Sequence, residues 1–128
     1  MKKIKKNVLK PLLFICLGLT ITTIVFASVA IERPGPPREP KISEITPTSC
    51  RIRFKAPLND GGSKIVSYDI ECLYVYSSMW IDKGTTKDLE HTVTTLERGA
   101  IVKFRIKASN AVGKSDPVET GFVSLPIN

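Results

Sequence analysis

Residues 41–126 predict an all-β fold, a seven-stranded antiparallel sandwich of two sheets. Three features lead there. Apolar and polar residues alternate with period two in one segment after another, the mark of strands with one wet face and one face in a core. Clusters of Gly, Pro, Asn and Asp separate those segments at short intervals. No stretch of this body keeps a helical period, and no internal repeat appears.

The chain opens with Lys2, Lys3, Lys5, Lys6 and Lys10, then runs through residues 11–31 without a charged side chain. Residues 12–27, interrupted only by glycine and threonines, read as an apolar N-terminal helix. Ser28 and Ala30 put small residues at the spacing that signal peptidase accepts. Residues 1–30 therefore read as a secretory signal peptide cut after Ala30. The alternative is an uncut signal anchor, because 21 uncharged residues span a hydrocarbon core of about 30 Å. The lysines would then hold the N-terminus cytoplasmic. Both readings place the rest of the chain outside the cytoplasmic membrane, secreted or tethered, with residues 11–31 as its only membrane contact. Cys16 does not mark a lipoprotein, since Phe14 and Ile15 before it are not small.

Residues 31–40 follow as a Pro-rich linker. Pro34, Pro36, Pro37 and Pro40 remove helix hydrogen bonds and favour an extended spacer. The strands come next. Residues 41–46 alternate weakly around Ile42 and Ile45. Residues 49–55 set Cys50, Ile52 and Phe54 against Arg51, Arg53 and Lys55. Residues 64–73 set Tyr68, Ile70 and Cys72 against Asp69 and Glu71. Residues 91–96 contribute Val93 to the core. Residues 100–108 turn Val102, Phe104, Ile106 and Ala108 inward and Lys103, Arg105 and Lys107 outward, and residues 118–125 close the fold. Turns are expected at residues 57–62, at Asp82-Lys83-Gly84, at Arg98-Gly99 and across residues 110–117.

Several of these segments together resemble a fibronectin type III domain of the kind found in giant muscle proteins and many bacterial surface proteins. The matching residues begin with Pro34-Gly35-Pro36-Pro37 and continue through Ala56-Pro57-Leu58-Asn59-Asp60-Gly61-Gly62-Ser63-Lys64-Ile65 into Tyr68-Asp69-Ile70-Glu71. Trp80, Leu96 and Gly99 follow, then Phe104-Arg105-Ile106-Lys107-Ala108-Ser109-Asn110-Ala111-Val112-Gly113-Lys114-Ser115. The resemblance implies that the turn at Gly61-Gly62 carries the chain from one sheet to the other and delivers Tyr68 and Ile70 to the core. Two positions depart from the family pattern. Phe54 stands where the family has a core tryptophan, and Val102 where it has a corner tyrosine. Loss of that corner hydrogen bond implies a stability deficit of about 1 kcal/mol.

Charge excludes one class of function. The lysines of the leader carry +5 of the formal +7, and from Ile31 onward 14 Lys/Arg face 12 Asp/Glu. Interspersed signs make a poor polyanion binder, so no nucleic-acid partner is expected. Chemistry finds no footing either. His91 is the single histidine, and Cys50, Cys72 and His91 lack the number and spacing of a metal set. Asp60-Gly61-Gly62-Ser63 leads into a strand and not a helix, which excludes a phosphate loop. No catalytic residue, cofactor or metal is expected.

Cys50 and Cys72 face inward at one end of the predicted sandwich. They are either a disulfide, permitted by an oxidising compartment, or two buried thiols acting as small apolar groups. What remains for the chain is recognition of a protein partner or service as a spacer. The resemblance implies binding loops at residues 59–63 and 110–114, with Asn59, Asp60 and Lys114 as candidates. No Arg-Gly-Asp triplet is present. Residues 73–80 offer a more individual surface. Leu73 and Val75 fall on the wet face, and Tyr74, Tyr76 and Trp80 are candidate anchors.

Overall fold

The computed structural model describes residues 9–16 and 23–128. Lys2, Lys3, Lys5 and Lys6 of the basic leader lie outside the described residues. Strands β1 (Leu9–Cys16) and β2 (Thr23–Ala30) pair as an antiparallel ladder, Leu9 opposite Ala30 and Cys16 opposite Thr23. The helix expected here is thus replaced by strands. An apolar run has no period that separates the two, and Thr23, Ile24, Val25 and Val29 are β-branched residues that favour extended backbone. Among the described residues, no helix is long and apolar enough to cross a membrane.

The body is a sandwich of two antiparallel sheets. One holds β3 (Arg38–Ser43), β4 (Cys50–Lys55) and β7 (Glu90–Val93), in the order β3-β4-β7. The other holds β5 (Ser67–Tyr74), β6 (Ile81–Thr86), β8 (Ile101–Ser109), β9 (Val118–Glu119) and β10 (Val123–Ser124). Its order is β10-β8-β5-β6, with β9 also on β8. The alternation read from the sequence sets the core. Cys50, Ile52 and Phe54 of β4 meet Tyr68, Ile70, Cys72 and Tyr74 of β5 and Val102, Phe104, Ile106 and Ala108 of β8. Phe54 lies edge-on to Tyr68 with ring centroids 4.8 Å apart, so a smaller aromatic serves where a tryptophan is usual.

The sandwich has eight strands where seven were expected and six were placed along the chain, and two local chemistries account for the two added pieces. The final strand splits at Thr120. Its hydroxyl accepts the Phe104 N–H at 2.9 Å while its own N–H donates to the Phe104 carbonyl at 2.8 Å, leaving β9 and β10 as two short pieces. Asp82-Lys83-Gly84, read as a turn, belongs to strand β6 and is a distortion within it. Gly84 sits at φ +120°, the Asp82 carboxylate accepts its N–H at 3.0 Å, and the β5–β6 register shifts between Asp69 and Glu71. A Cβ on Gly84 would lie 2.7 Å from His91 Nε2. That imidazole nitrogen donates to the Lys83 carbonyl at 3.0 Å and stitches β7 to β6 across the open side of the sandwich.

Arg38, Glu39 and Pro40, read as the end of the linker, begin β3. Pro40 is tolerated because β3 is an edge strand whose register shifts between Arg38 and Lys41, with Glu39 at φ +50°. Earlier still, Pro34 and Pro37 are buried. The missing corner tyrosine is also made good. Val102 lies directly opposite Tyr74 in the β5–β8 ladder, and Tyr74 reaches the same corner, its hydroxyl accepting the Glu97 N–H at 3.3 Å. The hydroxyl arrives from the neighbouring strand.

Two outcomes follow for stability in denaturant titrations. Phe104→Ala, at a site with no exposed surface, will cost about 3–5 kcal/mol, as aromatic truncations in cores do. Tyr74→Phe will cost about 1 kcal/mol, the usual net worth of one hydrogen bond, whereas an unchanged midpoint would show the corner bond to be idle.

Candidate interaction surface

Because β5 buries Tyr68, Ile70, Cys72 and Tyr74, its other residues face outward, and pairing with β8 sets Asp69 beside Lys107, Glu71 beside Arg105 and Leu73 beside Lys103. Cys72 opposite Ile81 brings Trp80 alongside Leu73. A ladder of cations and aromatic rings results. Arg105 Cζ stands 4.3 Å from the Trp80 ring centroid, and Lys103 Nζ lies 5.8 Å from Trp80 and 5.1 Å from Phe122. Each cation also has a carboxylate: Lys103 to Glu119 at 2.8 Å and Arg105 to Glu71 at 2.6 Å, with Lys107 3.5 Å from Glu71. Burial pushes the Glu71 carboxyl up, but the Arg105 hydrogen bond and charge, helped by Lys107, bring it below its ordinary value. Contacts of this kind add about 0.5–1 kcal/mol each at exposed sites, so they stiffen the face more than they stabilise the domain.

Beyond this ladder the face turns apolar. Val75 is 53% exposed and donates its N–H to the Ile101 carbonyl at 2.9 Å, so the exposed side chain of Ile101 stands on the next strand. Phe122 is half exposed beside Lys103, and Met79 is 72% exposed in the loop before Trp80. Of the residues expected at this surface, Val75 and Tyr76 are exposed and Leu73 and Trp80 are half-buried. Tyr74 is not an anchor. Its place in the alternation turns it inward, where it is 4% exposed. Tyr76 stacks on it at 5.4 Å and donates its hydroxyl to Glu97 Oε2 at 2.7 Å. Met79 falls within the stretch 73–80 read from the sequence as a surface, whereas sequence reasoning missed Ile101 and Phe122. The outward phase of the β8 alternation could have revealed Ile101. Phe122 follows a break in strand register and carries no such signal.

The loop candidates come together in space, but around the chain itself. Asn59 and Asp60 spend their carboxamide and carboxylate oxygens on the N–H groups of Gly61 and Gly62, at 2.9 and 2.8 Å. Gly61 donates nothing outward. Its carbonyl accepts the Glu32 N–H at 2.8 Å, and Asn59 O accepts the Gly35 N–H at 2.9 Å. Buried Asn110 completes the seat, donating to Glu32 O at 2.7 Å and Asp60 O at 2.8 Å while its Oδ1 accepts from Val112 and Gly113. Lys114 Nζ sits 2.5 Å from Asp69 Oδ2, and pairing with that carboxylate raises its pKa. Its carbonyl accepts from Arg33.

Cys50 and Cys72 are free and buried, on facing sheets. Burial, with a contribution from Cys72, pushes the Cys50 thiol up to about 11, and burial raises Cys72 as well. Both are protonated, weak nucleophiles near neutral pH. Among the described residues, no three His, Cys, Asp or Glu side chains gather as a metal set. A cleft of about 310 Å³ on the outer face is lined by Asp69, Glu71, Asp82, Thr85, Lys107 and Lys114. Within it Asp69 pairs with Lys114 and Glu71 with Lys107.

Two antiparallel sheets joined across their edges around a single core, with paired charges on the outside, define a β-sandwich module of the immunoglobulin-like class. The chain belongs to the fibronectin type III family, whose profile, described as Fibronectin type III domain, matches residues 35–121. It is 34% identical over 86 residues to the titin homolog of Caenorhabditis elegans, covering 67% of this chain and 0%, to the nearest per cent, of that protein. To human cardiac-type myosin-binding protein C it is 30% identical over 99 residues, 76% of this chain and 8% of that one. Human contactin-3 is 31% identical over 113 residues, 81% and 11% of the two chains. A crystal structure of titin domains superposes with a TM-score of 0.73 at 28% identity, covering 80% of this chain and 37% of that one. The chain thus spans a small fraction of the curated relatives it matches.

Tyr76 supplies a pH signature for this surface. Its hydrogen bond to Glu97 holds the phenol up, to about 12. Because the folded pKa exceeds the unfolded value, the contribution to stability is present below about pH 10 and is lost as pH rises toward 12. Absorbance titration of phenolate will show all three tyrosines ionising above the ordinary phenol value, with the Tyr76 step moving down in Glu97→Gln. If no tyrosine shifts in that variant, the contact is not maintained in solution.

Proposed function

We propose that this chain is a non-catalytic, extracytoplasmic protein-binding or adhesion module that uses the outer face of the five-stranded sheet. The observation that carries the reading is the apolar row formed by exposed Val75 and Ile101, flanked by Leu73, Trp80 and Phe122. Exposed apolar clusters on a rigid sheet are the usual form of a partner site, and half-buried aromatic anchors supply most of its affinity. Trp80, held by Arg105 and Lys103, is ordered before any partner arrives, which reduces the entropy lost on binding. Asn59, Asp60 and Lys114 serve the fold in this reading. The relatives lend support of a general kind: one is named for binding myosin.

Export rests on the basic start, the apolar stretch and the small residues Ser28 and Ala30. In this reading the leader is removed, and retention as an anchor is the variant form. A second reading, a spacer that positions another protein, draws on the same relatives, which are long chains in which a unit of this size is a minor part.

The test is the double variant Leu73→Lys with Val75→Glu. In pull-downs with the folded domain, partner capture will fall by at least about tenfold, as loss of a hot-spot contact predicts. The midpoint of thermal unfolding will stay nearly unchanged, since both side chains face outward. A large loss of stability would place them in the core, and equal capture by both proteins would leave only the spacer.

A further inference from the structure

The Ala30–Ile31 bond lies between two stretches of engaged backbone. On its N-terminal side, Ser28, Val29 and Ala30 pair with Pro11, Lys10 and Leu9 in the β1–β2 ladder. On its C-terminal side the chain enters the folded body at once. Ile31 is 7% exposed, the Glu32 N–H donates to Gly61 O at 2.8 Å, and the Glu32 carbonyl accepts from Asn110 Nδ2 at 2.7 Å. Arg33 NH1 then binds the Lys114 carbonyl at 3.0 Å, and Gly35 N–H binds Asn59 O. This is a strap seated in the loops that the family resemblance had offered as a binding site.

The seat is specific. Gly61 stands at φ +77°, and a Cβ there would come within 2.1 Å of the Glu32 carbonyl and 2.9 Å of that of Arg33. Only glycine lets the strap lie so close. Asn110, with two donors and one acceptor oxygen all occupied, is 6% exposed, and no smaller polar residue spans the same gap.

We infer that the folded body shields its own processing site, so that the Ala30–Ile31 bond is cut before residues 31–35 dock and resists cutting afterwards. A protease draws several residues on both sides of the bond into its cleft as an extended strand, which requires free backbone N–H and C=O groups. Here the N–H and C=O of Glu32, the second residue after the bond, are spent on Gly61 and Asn110. Hydrolysis adds one water across the amide, leaving a carboxylate on Ala30 and an ammonium on Ile31, and it proceeds only from the fraction of molecules with the strap lifted. Folding and processing therefore compete. Chains cut first become the free domain, and chains that fold first keep the leader and remain tethered. This inference rests on the leader reading above, and the experiment separates the two.

The full chain in detergent micelles is treated with signal peptidase and, separately, with elastase, which cuts after small residues without needing a leader. Each is used on folded protein and on protein held in a urea concentration the enzyme tolerates, with Trp80 fluorescence reporting the fold. Cutting after Ala30 by both enzymes will be at least about tenfold slower in the folded chain, since the rate follows the lifted fraction. Gly61→Ala and Asn110→Ala will each restore fast cutting while the Trp80 signal persists. If Gly61→Ala fails to fold, Asn110→Ala carries the test. Equal rates for folded and unfolded chain with both enzymes would overturn the shield and leave the leader reading intact. Failure of signal peptidase to cut the unfolded chain after Ala30, with elastase still discriminating, would overturn the leader reading and with it the competition.

Discussion

The single layer of side chains shared by β4, β5 and β8 constrains everything else in this molecule. Ile52, Ile70, Phe104 and Ile106 have no exposed surface, and their neighbours along each strand must point the other way. A shift of one residue in any of the three strands would send Arg51, Glu71 or Arg105 into the core. Register is therefore held by the cost of burying charge as much as by the gain from burying isoleucine. The outer surface inherits its order from the same layer. Trp80, Arg105, Glu71 and Lys107 line up as a ladder because the core has already decided which face each occupies.

At the sandwich ends the backbone leaves its ladders, and side chains take over the hydrogen bonding. Thr120 substitutes for a strand partner at Phe104. Ser115 accepts from the Ala108 N–H at 2.9 Å, Asn110 joins two loops to the strap, and Tyr74 ties the Glu97 corner. Buried backbone groups without partners are costly, so each of these polar side chains stands where a regular ladder stops. The tyrosine shows that the constraint lies in the bond and not in the residue's place in the chain. A hydroxyl delivered from β5 serves the corner when β8 has a valine there.

The same economy explains why the two candidate surfaces fare differently. Polar loops with glycines look adaptable in sequence, yet here their donors and acceptors are consumed partly within the loops and partly by the strap. The outer face carries ion pairs that satisfy one another and, next to them, apolar side chains that satisfy nothing within the domain. On this face the exposed apolar side chains are those of Val75, Ile101 and Phe122.

Alternation is a local property, because an extended backbone turns successive side chains to opposite faces whatever the rest of the chain does. The sequence alone therefore determined the fold class, the inward phase of β4, β5 and β8, and the outward phase of Leu73 and Val75. It also carried the glycines of the cross-sheet turn, whose positive φ no other residue adopts as readily. Other features depended on contacts between distant residues. Asn110 meets Glu32 across 78 positions of sequence, Tyr74 meets Glu97 across 23, and Arg33 meets Asp116 across 83. Gly84 reads as a turn residue in sequence, and only the His91 ring packed against it shows the need for glycine within β6. The apolar leader was read as a helix because its composition suits either structure, and pairing between Leu9–Cys16 and Thr23–Ala30 decided for strands. Tertiary structure settled what period and composition leave open, since a hydrogen bond or a close approach exists only once both partners have been brought to the same place.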